Sequence, residues 1–402
     1  MGYGALVGNP SRLRTQVNKL FVFNPGSEAG FAFPEGCNYT PPSVVQVMMR
    51  DLSPMLRVLG TGSDVVYHPS PSGDRLLRCG VSAIDWDKES SIPSNATAQT
   101  YRLQLWGPEA SSLTSYRNKF APLISSLQIP RYHPQLRQLI HRATAANLMQ
   151  WLRERADYPD WLVARQVRSV DEVEQLASSV GPRAIAKQPY SSSGRGLIPL
   201  SYPLSDQDSK AIANALKRSG SLMVEPRLDK LSDWASEWLI TEDQDVQLCG
   251  YSHFLTNDRG AYIGNELRPQ SELQESLAQS VGKRRLKQTE ELTQTFIRRT
   301  IAPYYRGALG IDQLLYRSAD GIGYFPAVEI NLRMTMGHFA IELCEKLLSP
   351  QSRGQFLLAP IQQLPTRIPP TFDADGRLSS GDLLLSANKP DASFAAILRA
   401  EG

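Results

Sequence analysis

The chain has 402 residues, 41% of them hydrophobic and 21% charged, which suits a folded protein of two or three domains and argues against disorder. Its 43 Lys and Arg against 40 Asp and Glu leave a net charge of +3, too small for the clustered positive surface that a nucleic-acid partner needs. Cys37, Cys79, Cys249 and Cys344 lie far apart without a C-x-x-C pair, and nowhere do about 18 apolar residues run together. A disulfide framework, a zinc site and a membrane partner are therefore excluded, and a cytoplasmic location is expected.

The first expected element is a strand in "KLFVFNPGSEAG", Leu20 to Phe23, ending in a polar loop. "PPSVVQVMMRDLSPMLRVL" follows with apolar residues at helical spacing and prolines at its start, where a missing N–H costs nothing. "DVVYH" is a second strand, so residues 19 to about 130 are expected to form a βαβ-type unit. "RQLIHRATAANLMQWLRERA" predicts one long helix with an apolar stripe through Leu139, Ala143, Leu148, Trp151 and Leu152. "SVDEVEQLASSV" predicts another, with Ser169 and Glu172 as a capping box. Strands are expected in "PRAIAKQ", "SLMVEPRL", "WASEWLI", "QLCGYSHFL" and "GAYIGNELR", and a helix in "EELTQTFIRRTIAPYY". The basic run "GKRRLK" reads as a solvated helix face. Beyond residue 350 the sequence turns Pro-rich and reads as a peripheral tail.

Two stretches carry chemistry. "RAIAKQPYSSSGRGL" places Lys187 at a strand end before a loop of small residues. Successive backbone N–H groups there can approach an anion closely, and the lysine can reach the same phosphates, although a turn with a solvated lysine has the same composition. "GIDQLLYRSADGIGYFPAVEINLRMTMG" contains two apolar runs around Asp-Gly, a strong hairpin signal. With Asp320 and Gly321 at the turn centre, Asp312 falls opposite Glu329, and Glu329, Asn331 and Arg333 share one face. Opposed carboxylates destabilise a sheet unless a cation neutralises them, so Asp312, Glu329 and Asn331 are a candidate Mg2+ site. Arg333 stands ready for phosphate oxygens.

These stretches resemble the ATP-grasp superfamily over residues 139 to about 345: "AIAKQPYSSSGRG" for a lysine and flexible lid, "LMVEP" for the connecting segment, and "GIDQLLY" with "AVEINLR" for the metal hairpin. "FVFNPGSE" with "NYTPP" is similar to the opening of an uncharacterised bacterial subgroup of that superfamily. The resemblance implies an α/β and α+β architecture. A Rossmann-like domain over 1–130 would precede a first lobe over 131–222 and a second over 223–350, with 351–402 as the tail.

It further implies ATP and Mg2+ as cofactors. Lys187 would hold the α- and β-phosphates, with Ser191, Ser192, Ser193, Gly194, Arg195 and Gly196 closing over the triphosphate. Glu225 would lie at the hinge beside adenine, Asp233 or Glu237 would hold the ribose, and Arg142 would replace an expected lysine. Arg333 would stabilise the transferred phosphoryl group, and Arg268 in "GNELR" is a candidate clamp for a carboxylate. Asn24, Glu28, Tyr39 and Thr40 follow the first strand, where an acceptor could bind, although "NPGS" also reads as a plain turn. His338 reads as a capping or core histidine.

The expected activity is ligation of a small-molecule carboxylate to an amine, or to a peptide, through an acylphosphate, and a homodimer is admitted. A small-molecule kinase and a nucleotide-binding regulatory module without turnover remain as alternatives.

Overall fold

The structure, a computed structural model, describes residues 17–33, 37–71, 73–88, 91–92, 100–121, 126–180, 183–191, 196–257, 260–387 and 389–401. The amino-terminal sheet contains β1 (Asn18–Val22), β2 (Val65–His68), β3 (Arg75–Arg78), β4 (Ser91–Ile92), β5 (Thr100–Leu105) and β6 (Ser126–Gln128), in the order β4-β3-β2-β1-β5-β6. β1 runs parallel to both β2 and β5, so the β1 end meets the loops that α/β folds use for ligands. Helices α1 (Ser43–Leu52) and α2 (Ala110–Phe120) belong to this unit.

The next unit is a small antiparallel sheet, in the order β7-β10-β8-β9, formed by β7 (Arg165–Val167), β8 (Arg183–Lys187), β9 (Leu197–Ser201) and β10 (Leu222–Pro226). The helices α3 (Leu136–Ile140) and α4 (Ala143–Arg153) lead into it, and α5 (Val170–Val180) and α6 (Asp206–Ser219) pack on it. The boundary expected at residue 222 moves, because "LMVEP" pairs with both β7 and β8 and is a central strand of this lobe.

The last unit is a nine-stranded sheet, in the order β15-β14-β11-β12-β13-β16-β19-β18-β17. Its strands are β11 (Asp229–Ile240), β12 (Val246–Thr256), β13 (Tyr262–Leu267), β14 (Gly307–Ser318), β15 (Gly321–Asn331), β16 (Arg353–Pro360), β17 (Thr371–Phe372), β18 (Leu378–Leu384) and β19 (Phe394–Glu401). Trp234, Trp238 and Tyr251 pack into one core with Leu148 and Leu152 of α4 and with Phe296 and Ile297 of α8 (Lys283–Thr300), which follows α7 (Gln270–Val281). A second core joins Phe339 and Leu343 of α9 (Met336–Lys346) to Phe356 and Leu398 of the sheet and to Phe21, Phe23 and Leu52 of the first unit. The segment after residue 350 is thus no peripheral tail: its alternating apolar residues close the sheet and weld it to the amino-terminal unit.

The long helix expected from residue 137 onward breaks at His141 and Arg142. The His141 backbone is extended at ψ 136°, and its Nδ1 accepts the Ala143 N–H at 3.0 Å, a local bond that replaces a helical one. Arg142 becomes the residue preceding α4 and swings its side chain out of the helix.

The hairpin turn also sits one residue earlier than expected. Ser318 pairs with Gly321, so Ala319 and Asp320 form the turn. Continued unbroken, that register would set Ala327 opposite Asp312. A bulge, in which Pro326, Ala327 and Val328 face Gln313, restores the pairing of Asp312 with Glu329. Two extra residues leave the side-chain alternation intact, which is why both carboxylates still share a face.

Candidate functional site

The site lies where β15, the β8–β10 sheet, the break before α4 and the end of β1 meet. From β15, Glu329 reaches Arg142, whose Nη1 donates to Glu329 Oε2 at 2.8 Å. The same guanidinium holds the lid's first residues: Nε donates to the Gln188 carbonyl at 3.1 Å and Nη2 to the Ser191 carbonyl at 2.8 Å. Asn331 Nδ2 donates to Asp312 Oδ1 at 3.1 Å, and Arg333 Nη2 donates to Asn331 Oδ1 at 3.0 Å. Arg333 then ion-pairs through Nε with Glu28, in the turn after β1. Polar groups thus run in one line from the first domain, along the metal strand, to the lid.

Electrostatics favour a cation here. Burial, together with the Glu329 carboxylate opposite, pushes the Asp312 carboxyl well above the usual range. An Asp312 carboxyl that resists ionising opposite a second acid, with an amide oxygen two residues along, suits a hard divalent ion. Among the described residues no group of three or more His, Cys, Asp or Glu is placed to hold a metal. Two carboxylates fit Mg2+, which takes few protein ligands and completes its shell with water and substrate phosphates. Burial lowers the Arg333 guanidinium to about 10, so it keeps its charge at neutral pH.

Lys187 ends β8, and Glu225 lies diagonally across on β10; the two form a buried ion pair. They line a cavity with Arg142, Ala146, Met149 and Phe325. A second cavity is lined by Ser27, Glu28, Tyr190, Ser191, Glu329 and Arg333. The Arg142–Glu329 pair stands between the two.

Other expected residues fall elsewhere. Ser192, Ser193, Gly194 and Arg195 lie outside the described residues, whereas Gly196 turns at φ 71° beside Gln188. Asp233 is held by Lys230 Nζ at 2.5 Å and accepts from Thr256 Oγ1 at 2.9 Å. Glu237 is not available to a ribose: it is 1% exposed and takes Ser252 Oγ, Thr335 Oγ1 and His338 Nδ1 at 2.8 to 2.9 Å. Burial alone would lower the His338 imidazole, but the Glu237 carboxylate, helped by hydrogen bonds to Cys249 and Glu237, lifts it to about 10. His338 is a core histidine, as expected.

Arg268 is not brought to the site. It pairs with Glu266, which also meets His253 at 2.8 Å, and His253 stacks on Trp234. Trp234 and its neighbour Ala235, which pairs with Asp312, point to opposite faces, so Arg268 lies across the sheet from the carboxylates. Asn24 binds the Gly107 carbonyl at 2.8 Å and the Gly107 N–H at 3.0 Å, bracing two loops. The Glu28–Arg333 pair, Ser27 and Tyr190 form a group with no signal in the sequence, since only the fold joins residues some 300 positions apart.

The architecture has counterparts among solved structures. Over 96% of this chain and 36% of the other, it superposes on pyruvate carboxylase from Rhizobium etli, with a TM-score of 0.50 and 13% identity. The fold is ATP-grasp. Also similar are a biotin carboxylase–β,γ-ATP complex from Campylobacter jejuni (TM-score 0.47, 15% identity, 75% of this chain and 71% of that one) and N5-carboxyaminoimidazole ribonucleotide synthetase from Thermus thermophilus (0.46, 12%, 95% and 94%). No protein-family model and no curated protein matches the sequence. Among the described residues no helix is long and apolar enough to cross a membrane.

Proposed function

We propose that this protein is an ATP-dependent ligase that joins a carboxylate to an amine through an acylphosphate. The observation that carries the reading is the opposed pair Asp312 and Glu329, with Arg142, Lys187 and Arg333 gathered around it from three parts of the chain. Two acids with Arg142 on Glu329, Arg333 on Asn331 and Lys187 lining the adjoining cavity describe a place for a polyphosphate with its metal. The apolar cavity beside Lys187 and Glu225 accepts the base, Lys187 leaves Glu225 for the phosphates, and Asp233 is the remaining candidate for the ribose. Mg2+ on Asp312, Glu329 and Asn331 would neutralise charge on the phosphates.

In the reaction an oxygen of the substrate carboxylate attacks the γ-phosphorus, and the bond from that phosphorus to the β-bridging oxygen breaks, releasing ADP. The amine then attacks the acyl carbon, phosphate leaves, and the amine's proton passes to water. This chain's part is positioning and charge stabilisation, with Arg333 beside the transferred group and Arg142 tying the lid to the metal strand. No side-chain nucleophile is needed.

The test is ADP release with a panel of acids and amines, with hydroxylamine as trap: a hydroxamate reports the acylphosphate, whereas a kinase acting on an alcohol gives none. Glu329→Gln should lower ADP formation by about a hundredfold or more while the circular dichroism spectrum is kept, as expected when a metal-binding charge is lost at a phosphoryl-transfer site. An unchanged rate removes the metal assignment.

A further inference from the structure

We infer that the cavity between the first domain and the metal strand takes an α-amino acid, its ammonium group on Glu28 and its carboxylate on Arg333. The inference rests on the ligase reading, in which that carboxylate is the one phosphorylated. Glu28 is 8% exposed and lines this cavity. Its Oε1 is taken by Arg333, while Oε2 is buried with no hydrogen-bond partner among the described residues. A buried carboxylate oxygen left bare is costly, and a ligand donor would satisfy it.

Arg333 has capacity of its own. Its Nη1 donates to the Met334 carbonyl at 3.1 Å and its Nη2 to Asn331, and each of these nitrogens carries a second N–H. The ion pair therefore offers one spare acceptor beside spare donors in one cavity. The complement is a cationic donor next to an anionic acceptor, the arrangement on either side of the α-carbon of an amino acid. A zwitterion leaves the net charge of the cavity unchanged; a second carboxylate would meet Glu28 as a like charge, and an acylated amine would bring a weaker neutral donor.

The site is built with care for space. A Cβ on Gly107 would fall on Ser27 Oγ and lie 3.9 Å from Arg333 Cδ, so a larger residue there would have to displace the Ser27 hydroxyl beside the pair. Phe31, Ile140 and Tyr190 add apolar surface to its walls.

The experiment measures binding by calorimetry with Mg2+ and a non-hydrolysable ATP analogue present, using the twenty common L-amino acids, their N-acetyl forms and their 2-hydroxy counterparts. At least one amino acid should bind, its N-acetyl and 2-hydroxy forms roughly tenfold or more weakly, as expected for loss of a charged hydrogen bond. Glu28→Gln should erase that discrimination while nucleotide affinity stays. The inference is overturned if the nucleotide binds and no amino acid does, if the N-acetyl forms bind equally well, or if Glu28→Gln preserves the preference. The ligand series on the unaltered protein decides the matter even if the variant does not fold. Failure to bind nucleotide, or an amino acid that binds without ADP release under any acceptor, tells instead against the ligase reading.

Discussion

His338 and Glu237 form an ion pair on the same face of the sheet as the Asp312 and Glu329 carboxylates, 7% and 1% exposed, with Thr335 and Ser252 filling the remaining valences of the Glu237 carboxylate. Removing one member of such a pair strands the other, at a cost of about 3–5 kcal/mol, whereas removing both with uncharged replacements of similar shape costs far less. His338→Ala should therefore lower the urea midpoint well below that of the double variant Glu237→Gln/His338→Gln. Because the folded imidazole titrates near 10 against an unfolded value near 6.5, its contribution is complete below 6.5 and is lost as pH rises through 10. Stability followed by urea titration from pH 6 to 10 should fall more steeply in the unaltered protein than in the double variant; parallel profiles would contradict the pairing. At this scale the sequence showed His338 correctly as a core residue but left Glu237 as a candidate for ribose. The decisive clue lay in "WASEW", where strand alternation sets Trp234 and Trp238 on one face and Glu237 on the other, but only the packing of α9 over that second face shows it is closed.

The β14–β15 hairpin was legible because period-two alternation survives an error in the turn. A centre misplaced by one residue and a bulge of two extra residues together still leave Asp312 against Glu329. Proline at 326 suits that bulge, where no ladder N–H is required. What the alternation cannot convey is how closely elements approach. Gly310 and Gly337 sit against Glu237 from β14 and α9, and a Cβ on Gly337 would fall on its carboxylate, within 2.7 Å of Cδ. Gly337→Ala tests which effect wins in α9. Helix propensity favours alanine by about 1 kcal/mol, but overpacking a fixed buried carboxylate costs about 1–3 kcal/mol. Three hydrogen-bond partners hold Glu237 in place, so it cannot turn aside cheaply. Net destabilisation is expected, read as a lower thermal midpoint; an equal or higher midpoint would mean that the buried cluster is loosely held. The break before α4 was equally hidden, since His141 and Arg142 fit a helical stripe and only the His141 side chain's bond to Ala143 ends it.

Across the whole molecule, the units are joined at both ends of the chain. Met334, just after the metal strand, donates its N–H to the Trp106 carbonyl of the first domain at 3.1 Å, and Lys346 of α9 reaches the Val58 carbonyl at 2.9 Å. The segment beyond residue 350 reinforces this junction: Phe356, Leu358, Leu378, Leu383, Leu385, Ile397 and Leu398 are all buried there. Proline density and a polar run at "SSGDLLLSANKPDAS" disguised these strands, because a sheet packed through alternate residues needs only short apolar stretches between turns. At roughly 2 kcal/mol for each buried side chain, the seven contribute on the order of 10 kcal/mol or more, comparable to the whole stability of a typical domain. Loss of these strands would also uncover Phe339 and Leu343 of α9, whose helix follows Arg333 directly. A chain ending at residue 350 should therefore lose its cooperative melt and aggregate, rather than behave as an intact enzyme without an appendage. Circular dichroism melting and sedimentation of the shortened chain decide this, and a cooperative transition at the full-length midpoint would show that the final strands are dispensable to the site.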